Sequence, residues 1–226
     1  SEFSTIAIIN SKSLSDFFNS QGYSFARRFC FEPPLNETLM EGAETAARKK
    51  REKPYKIVIY GRPGVQRNCF ELCLEALRVF VSRYEALAGS WEFFSVGEDH
   101  HHVELGRNKK LRSLGKLSLV EYRQLLMTAS VGVSLMVSPH PSYPPVEMAA
   151  YGMVVITNRF ANKDLGRQYE NIISVDKLTA DNVAEEIYNA CQRVESRSGN
   201  PCAASMKKNC CQTWENVLAG LEQLTM

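Results

Sequence analysis

No apolar run in this 226-residue chain approaches the roughly 20 residues that a membrane-spanning helix needs. No charged start followed by an apolar h-region marks a secretory leader, and none is expected. Charge of one sign is lacking as well. The 27 Lys and Arg nearly balance the 25 Asp and Glu, so the net charge of +2 gives no electrostatic case for nucleic acid as a partner. Cysteine occurs 7 times, but an odd number with Cys210 and Cys211 adjacent is not a disulfide framework. The expected setting is therefore reducing and cytoplasmic. Internal repeats and long low-complexity segments are absent too. What remains is ordinary for a globular protein, with 44% hydrophobic and 23% charged residues.

The stretch that stands out is Ser138-Pro139-His140-Pro141-Ser142-Tyr143-Pro144-Pro145-Val146-Glu147, continuing to Gly152. Apolar runs flank it, Val131 to Val137 before and Met153 to Thr157 after. It reads as a strand end, a proline-stiffened loop and a short helix with one carboxylate. In an alternating strand–helix chain, ligands bind at such a place, outside the carboxyl ends of parallel strands.

The surrounding pattern supports that architecture. Thr5 to Asn10 reads as a buried strand, Ser13 to Asn19 as a brief helix and Arg27 to Asn36 as irregular. Glu41 to Lys53 is polar and holds Arg48-Lys49-Lys50-Arg51, read as a solvated linker because no aromatics interleave it. From Lys56 the spacing predicts strands at 56–60, 91–96, 111–115, 131–137, 153–157 and 171–175. Asn68 with Glu71, and Ser118 with Glu121, have capping-box spacing. Thr179 or Asp181 starts a further helix, and Trp214, Val217, Leu218, Leu221 and Leu224 form an amphipathic stripe near the end. The expected fold is α/β, a Rossmann-like doubly wound parallel sheet. The expected division is 1–53 as an upstream tail and linker, 54–195 as the sheet domain, and 196–226 as a loop and cross-over helix.

Gly61-Arg62-Pro63-Gly64-Val65-Gln66-Arg67 is neither G-x-G-x-x-G nor a P-loop. Two arginines in such a strand-to-helix turn can converge on an anion, and solvated turn residues are the alternative. Glu147 can accept from the two hydroxyls of a ribose, or serve merely as a dipole-stabilised residue of the first helical turn. Ser142 and Tyr143 have backbone N–H groups, whereas Pro141, Pro144 and Pro145 have none, so positive side chains must carry most of any phosphate's charge. His140, just past its strand, is a candidate acid/base or donor to a leaving phosphate, with a structural role in the loop as the alternative. Consecutive His100, His101 and His102 do not converge on one ion, and no metal site is expected.

This constellation resembles the C-terminal, nucleotide-sugar-binding half of GT-B glycosyltransferases. The likeness is to glycosyltransferase family 4, and within it to the WsaF-like rhamnosyltransferases of surface-polysaccharide assembly. It is carried by Ile57 to Pro63, Ser113 to Leu117, Ser134 to Ala149 and Val155 to Asn158. The resemblance implies a retaining, metal-independent transfer from a deoxythymidine-diphosphate sugar, rhamnose, to a polysaccharide. The donor would be a substrate, and no cofactor is implied. Arg62, Arg67, Ser142 and Tyr143 would hold the diphosphate, Glu147 the ribose, and Leu114, Gly115, Lys116 and Leu117 the base. The acceptor would bind through an N-terminal domain outside this chain, so the fragment alone is expected to be inactive. The setting would be cytoplasmic, at the periphery of the inner membrane. One departure is Pro139, which stands where many members have the first of two glutamates; His140 gains weight accordingly. A nucleotide-sugar epimerase of similar fold and a non-catalytic nucleotide-sugar-binding module are the alternatives.

Overall fold

The computed structural model describes residues 6–197 and 213–225. It opens with a small unit, β1 (Ile6–Ile9), α1 (Lys12–Ser20) and β2 (Arg27–Cys30), whose two strands pair in parallel. Short helices α2 (Glu37–Met40) and α3 (Ala43–Arg48) lead into the main sheet. The sheet region then runs β3 (Tyr55–Gly61), α4 (Phe70–Arg83), α5 (Glu85–Ala88), β4 (Trp91–Gly97), β5 (Val103–Gly106), β6 (Lys109–Ser113) and α6 (Leu119–Thr128). It continues with β7 (Val131–Val133), α7 (Pro144–Ala150), β8 (Val154–Asn158), β9 (Ile172–Val175) and α8 (Ala180–Ser196), and α9 (Trp214–Thr225) follows.

The main sheet has the order β5-β6-β4-β3-β7-β8-β9. All neighbouring pairs are parallel except the edge pair β5–β6. Strand side chains alternate between faces, so Ile57 and Ile59 enter one core and Val58 the other. The first core gathers Leu77, Phe80 and Ile187 from α4 and α8; the second gathers Leu39, Leu126, Met148 and Tyr151 from the opposite layer. Both faces are covered, which is why these strands read as continuous apolar runs. Doubly wound parallel α/β is the architecture.

Several local expectations need correction. A strand at 111–115 is instead β6, ending at Ser113, and it pairs with β5, which was not anticipated. Arg107 and Asn108 join them with φ of 51 and 58, the backbone sign that a two-residue hairpin turn requires. Arg27–Cys30 is a strand rather than irregular chain. Ile6 and Ile8 in β1 are exposed, and only Ile9 of that strand is buried. Asn68 does not cap α4; Cys69 does, at φ 51, while Asn68 Nδ2 donates to the Leu135 carbonyl at 3.4 Å. The Ser118–Glu121 capping box is present in full, and Thr179 caps α8.

The polar 41–53 stretch is not simply solvated. Ala43, Ala46 and Ala47 are buried, and so is Arg51. The Arg51 guanidinium donates to the Met127 carbonyl at the end of α6 and to the Tyr151 carbonyl after α7, at 2.6 Å for the latter. A cation at two helix C-termini complements both dipoles and their orphan carbonyls. Of the terminal stripe, Val217 is buried while Trp214 and Leu218 are exposed. Helix α9 lies against β2, with Trp214 edge-on to Phe31 and Gly220 close to Phe29. The Leu224 side chain and most of the 196–204 loop lie outside the described residues.

Candidate functional site

Leaving the hairpin strand β5 aside, the order β6-β4-β3-β7-β8-β9 reverses direction between β3 and β7. Ligands of doubly wound sheets bind at such a switch point, beyond the strands' carboxyl ends. The residues beyond those ends are Gly61 to Asn68 and Ser134 to Tyr143. Backbone and side-chain bonds tie them together: Val137 N–H donates to the Arg67 carbonyl at 2.8 Å, and Met136 N–H to Asn158 Oδ1 at 2.7 Å. Helix α4 begins here without a side-chain cap, so its first turn leaves N–H groups, and the positive end of the helix, without a capping side chain.

Glu147 sits in the first turn of α7. Gly132 lets that helix approach the sheet, since a Cβ there would stand 2.6 Å from Met148 Sδ. Asn171 Nδ2 holds the other end, donating to the Ala149 and Met153 carbonyls at 2.8 and 2.9 Å. Burial pushes the Glu147 carboxyl up to about 7, and Tyr122 pulls it only partly back. The Tyr122 hydroxyl is buried close to the carboxylate and is the group that offsets part of its desolvation. Desolvation thus outweighs the helix dipole here. The result is a largely buried carboxyl whose ionised form is costly in the folded protein.

The α7 N-terminus itself offers an anion little. Pro144 and Pro145 have no N–H, and both Val146 and Glu147 donate to the Tyr143 carbonyl at 2.9 Å. Ser142, at φ 71, gives its N–H to His140 Nδ1 at 3.1 Å. Tyr143 N–H has no partner among the described residues, so it is the loop's available backbone donor. Because Nδ1 accepts, the proton of neutral His140 resides on Nε2, which is buried and unpartnered among the described residues. Burial, Lys163 and Arg67 all lower the His140 pKa and so favour that neutral form. His140 is therefore built as a hydrogen-bond donor rather than a proton acceptor.

Arg62 is half-buried and Arg67 exposed, and neither guanidinium has an ion-pair partner among the described residues. Glu98 occupies the backbone of their turn, its carboxylate accepting from Gly64 N–H at 3.2 Å. A ligand phosphate would then be held by the two side chains and the α4 end more than by the turn's backbone. Leu114 and Lys116 are exposed, Gly115 is buried at φ 63, and Leu117 is partly buried against the second core. Gly97 N–H donates to the Gly115 carbonyl at 3.0 Å, which seats this segment over the β4 end. The histidines diverge, with His100 against the Phe70 ring and His102 accepting from Ser113 N–H. The N-terminal unit also reaches the loop. Ser13 Oγ donates to the Pro139 carbonyl at 2.8 Å, and the Tyr143 hydroxyl lies beside Asn10.

Residues 55–188 match the family described as WsaF, C-terminal domain. The chain belongs to the WsaF C-terminal domain family. Its curated relative, O-antigen biosynthesis protein RfbC from Myxococcus xanthus, is 34% identical over 128 residues, 57% of this chain and 10% of RfbC. The fold is that of GT-B glycosyltransferases. Sucrose-phosphate synthase from Thermosynechococcus elongatus superposes with a TM-score of 0.66 at 15% identity, over 97% of this chain and 57% of that one. HepE from Anabaena, solved with UDP and glucose, gives 0.62 at 13% identity, over 99% and 62%. This WsaF-type domain therefore spans little more than half of the solved structures it matches. No helix among its described residues is long and apolar enough to cross a membrane. Sequence reading missed Tyr122, Arg51 and Lys163, which follow no motif; only folding brings them to this region.

Proposed function

We propose that this WsaF-type domain binds the nucleoside-diphosphate sugar of a retaining glycosyltransferase that extends a surface polysaccharide. What supports the reading is that the Arg62–Arg67 turn follows β3 and the loop leading to Glu147 follows the neighbouring β7, on the two sides of the switch point, with Glu147 largely buried and neither guanidinium ion-paired among the described residues. The ribose hydroxyls, or the single 3′-hydroxyl of a deoxyribose, would donate to Glu147, and the diphosphate would lie between the arginines, Tyr143 N–H and the start of α4. Leu114 to Leu117 would pack on the base, with deoxythymidine diphosphate and rhamnose as the preferred base and sugar. His140 Nε2–H would donate to the departing phosphate or to the sugar. Developing negative charge would be met by fixed cations and dipoles, so transfer would proceed without a metal. The acceptor would enter from the side of Asn10 and Ser13, in a cytoplasmic setting at the inner face of the membrane.

Thermal melting tests the reading. A nucleoside diphosphate at 100 times its Kd would stabilise the domain by about 2.7 kcal/mol and raise Tm. No rise with thymidine, uridine, guanosine or adenosine diphosphate would count against it.

A further inference from the structure

Lys163 is 2% exposed, yet it has no carboxylate partner among the described residues. Its ammonium donates to the Met136 carbonyl at 2.5 Å, where the chain leaves β7 for the His140 loop. Around it stand Cys69 at the start of α4, and His140, whose imidazole also feels Arg67. Buried charges are normally paired, because an isolated ammonium away from water is costly. Two buried donors, the Lys163 ammonium and His140 Nε2–H, are thus coupled to each other, and His140 to Arg67 as well, with no carboxylate among the groups that act on either.

We propose that Lys163 is an inner cation of the anion site, a positioning residue that holds a ligand diphosphate electrostatically from beneath the Met136–His140 turn. This deepens the reading above and rests on it. Lys163 needs no direct contact, since its charge acts through a poorly polarisable interior. Its ammonium is depressed to about 8 by burial, so it gives up its proton within about a unit of pH 8. A bound diphosphate would restore its charge, with the proton drawn from buffer. Coupling is reciprocal: if the protonated form binds diphosphate about tenfold tighter, diphosphate raises the lysine by about one pKa unit.

Calorimetry with thymidine diphosphate and thymidine, near pH 8.5 in two buffers of different ionisation enthalpy, tests this. Glu147 is already ionised there, so proton uptake on diphosphate binding reports Lys163, with Cys69 and His140 the other titratable neighbours. The expected result is uptake of a sizeable fraction of one proton with the diphosphate and none with the nucleoside. Lys163→Met keeps the Met136 carbonyl bonded to Asn158 Nδ2 and is expected to lose the uptake and about threefold in diphosphate affinity near pH 8.5, widening towards about tenfold below about pH 7, with nucleoside binding unchanged. Wild-type binding without uptake overturns the role of Lys163. Absence of any binding overturns the parent reading instead.

Discussion

Glu147 and Lys163 carry opposite charges in their ionised forms, and burial opposes both. The Glu147 carboxyl is raised from 4.5 to about 7, so the folded state binds the extra proton between those values. Stability from this group is complete below about pH 4.5 and is lost as pH rises through about 7. Glu147→Gln removes the titration. The variant is expected to melt higher than wild type near pH 8, by on the order of 1–3 kcal/mol, and to show no such gain near pH 4. Its nucleotide affinity should fall at least about tenfold, the loss of a charge-assisted contact worth roughly 1.5–3 kcal/mol. Wild-type binding should tighten as pH rises through about 7, because the carboxylate accepts from a sugar hydroxyl more strongly than the neutral acid does. A profile identical to that of Glu147→Gln would contradict the ribose role. A lower Tm for the variant near pH 8 would contradict the burial account.

The elements that present these residues are held by specific contacts rather than by helix propensity. Helix α7 has only the span Pro144–Ala150, too short to persist alone. Arg51 clamps its exit to the end of α6. Arg51→Met leaves two helix-end carbonyls without that donor and should destabilise the domain by about 1–3 kcal/mol in urea unfolding. Arg51→Lys should recover only part, since an ammonium lacks the guanidinium fork. Gly152, at φ 75, is needed where the chain leaves α7, for a Cβ there would stand 2.9 Å from Ala47 Cα. Gly152→Ala should cost more than about 1 kcal/mol, from both the left-handed backbone and the clash. An unchanged denaturation midpoint for either Arg51→Met or Gly152→Ala would show that α7 is held otherwise.

At the scale of the whole molecule, the alternating layers were legible because each core strand is a continuous apolar run and each helix has one apolar face. The Ser118–Glu121 cap is purely local, so its spacing sufficed. The β5–β6 hairpin was not legible, since Arg107-Asn108 is an unusual pair for a turn with two positive φ values. Of the candidate site, the sequence-local part was legible as two loops beyond neighbouring strand ends, the Arg62–Arg67 turn and the Pro139–Glu147 loop. Arg51, Tyr122 and Lys163 were not, because each acts on a partner distant in the chain. The small β1–α1–β2 unit leaves Ile6 and Ile8 exposed, although parallel strands are usually covered on both faces. On the proposed transfer activity, chelation of divalent cations is expected to leave sugar transfer by a protein carrying this domain unchanged; abolished transfer that a metal restores would contradict the metal-independent reading.

The most direct test of the donor site is calorimetric titration of the intact domain with thymidine, uridine, guanosine and adenosine diphosphates, repeated on Arg62→Met and Glu147→Gln. The expected result is saturable binding of at least one diphosphate, weakened in each variant by on the order of 1–3 kcal/mol while the fold is retained. No binding of any of them to wild type, or binding indifferent to both substitutions, would contradict the assignment.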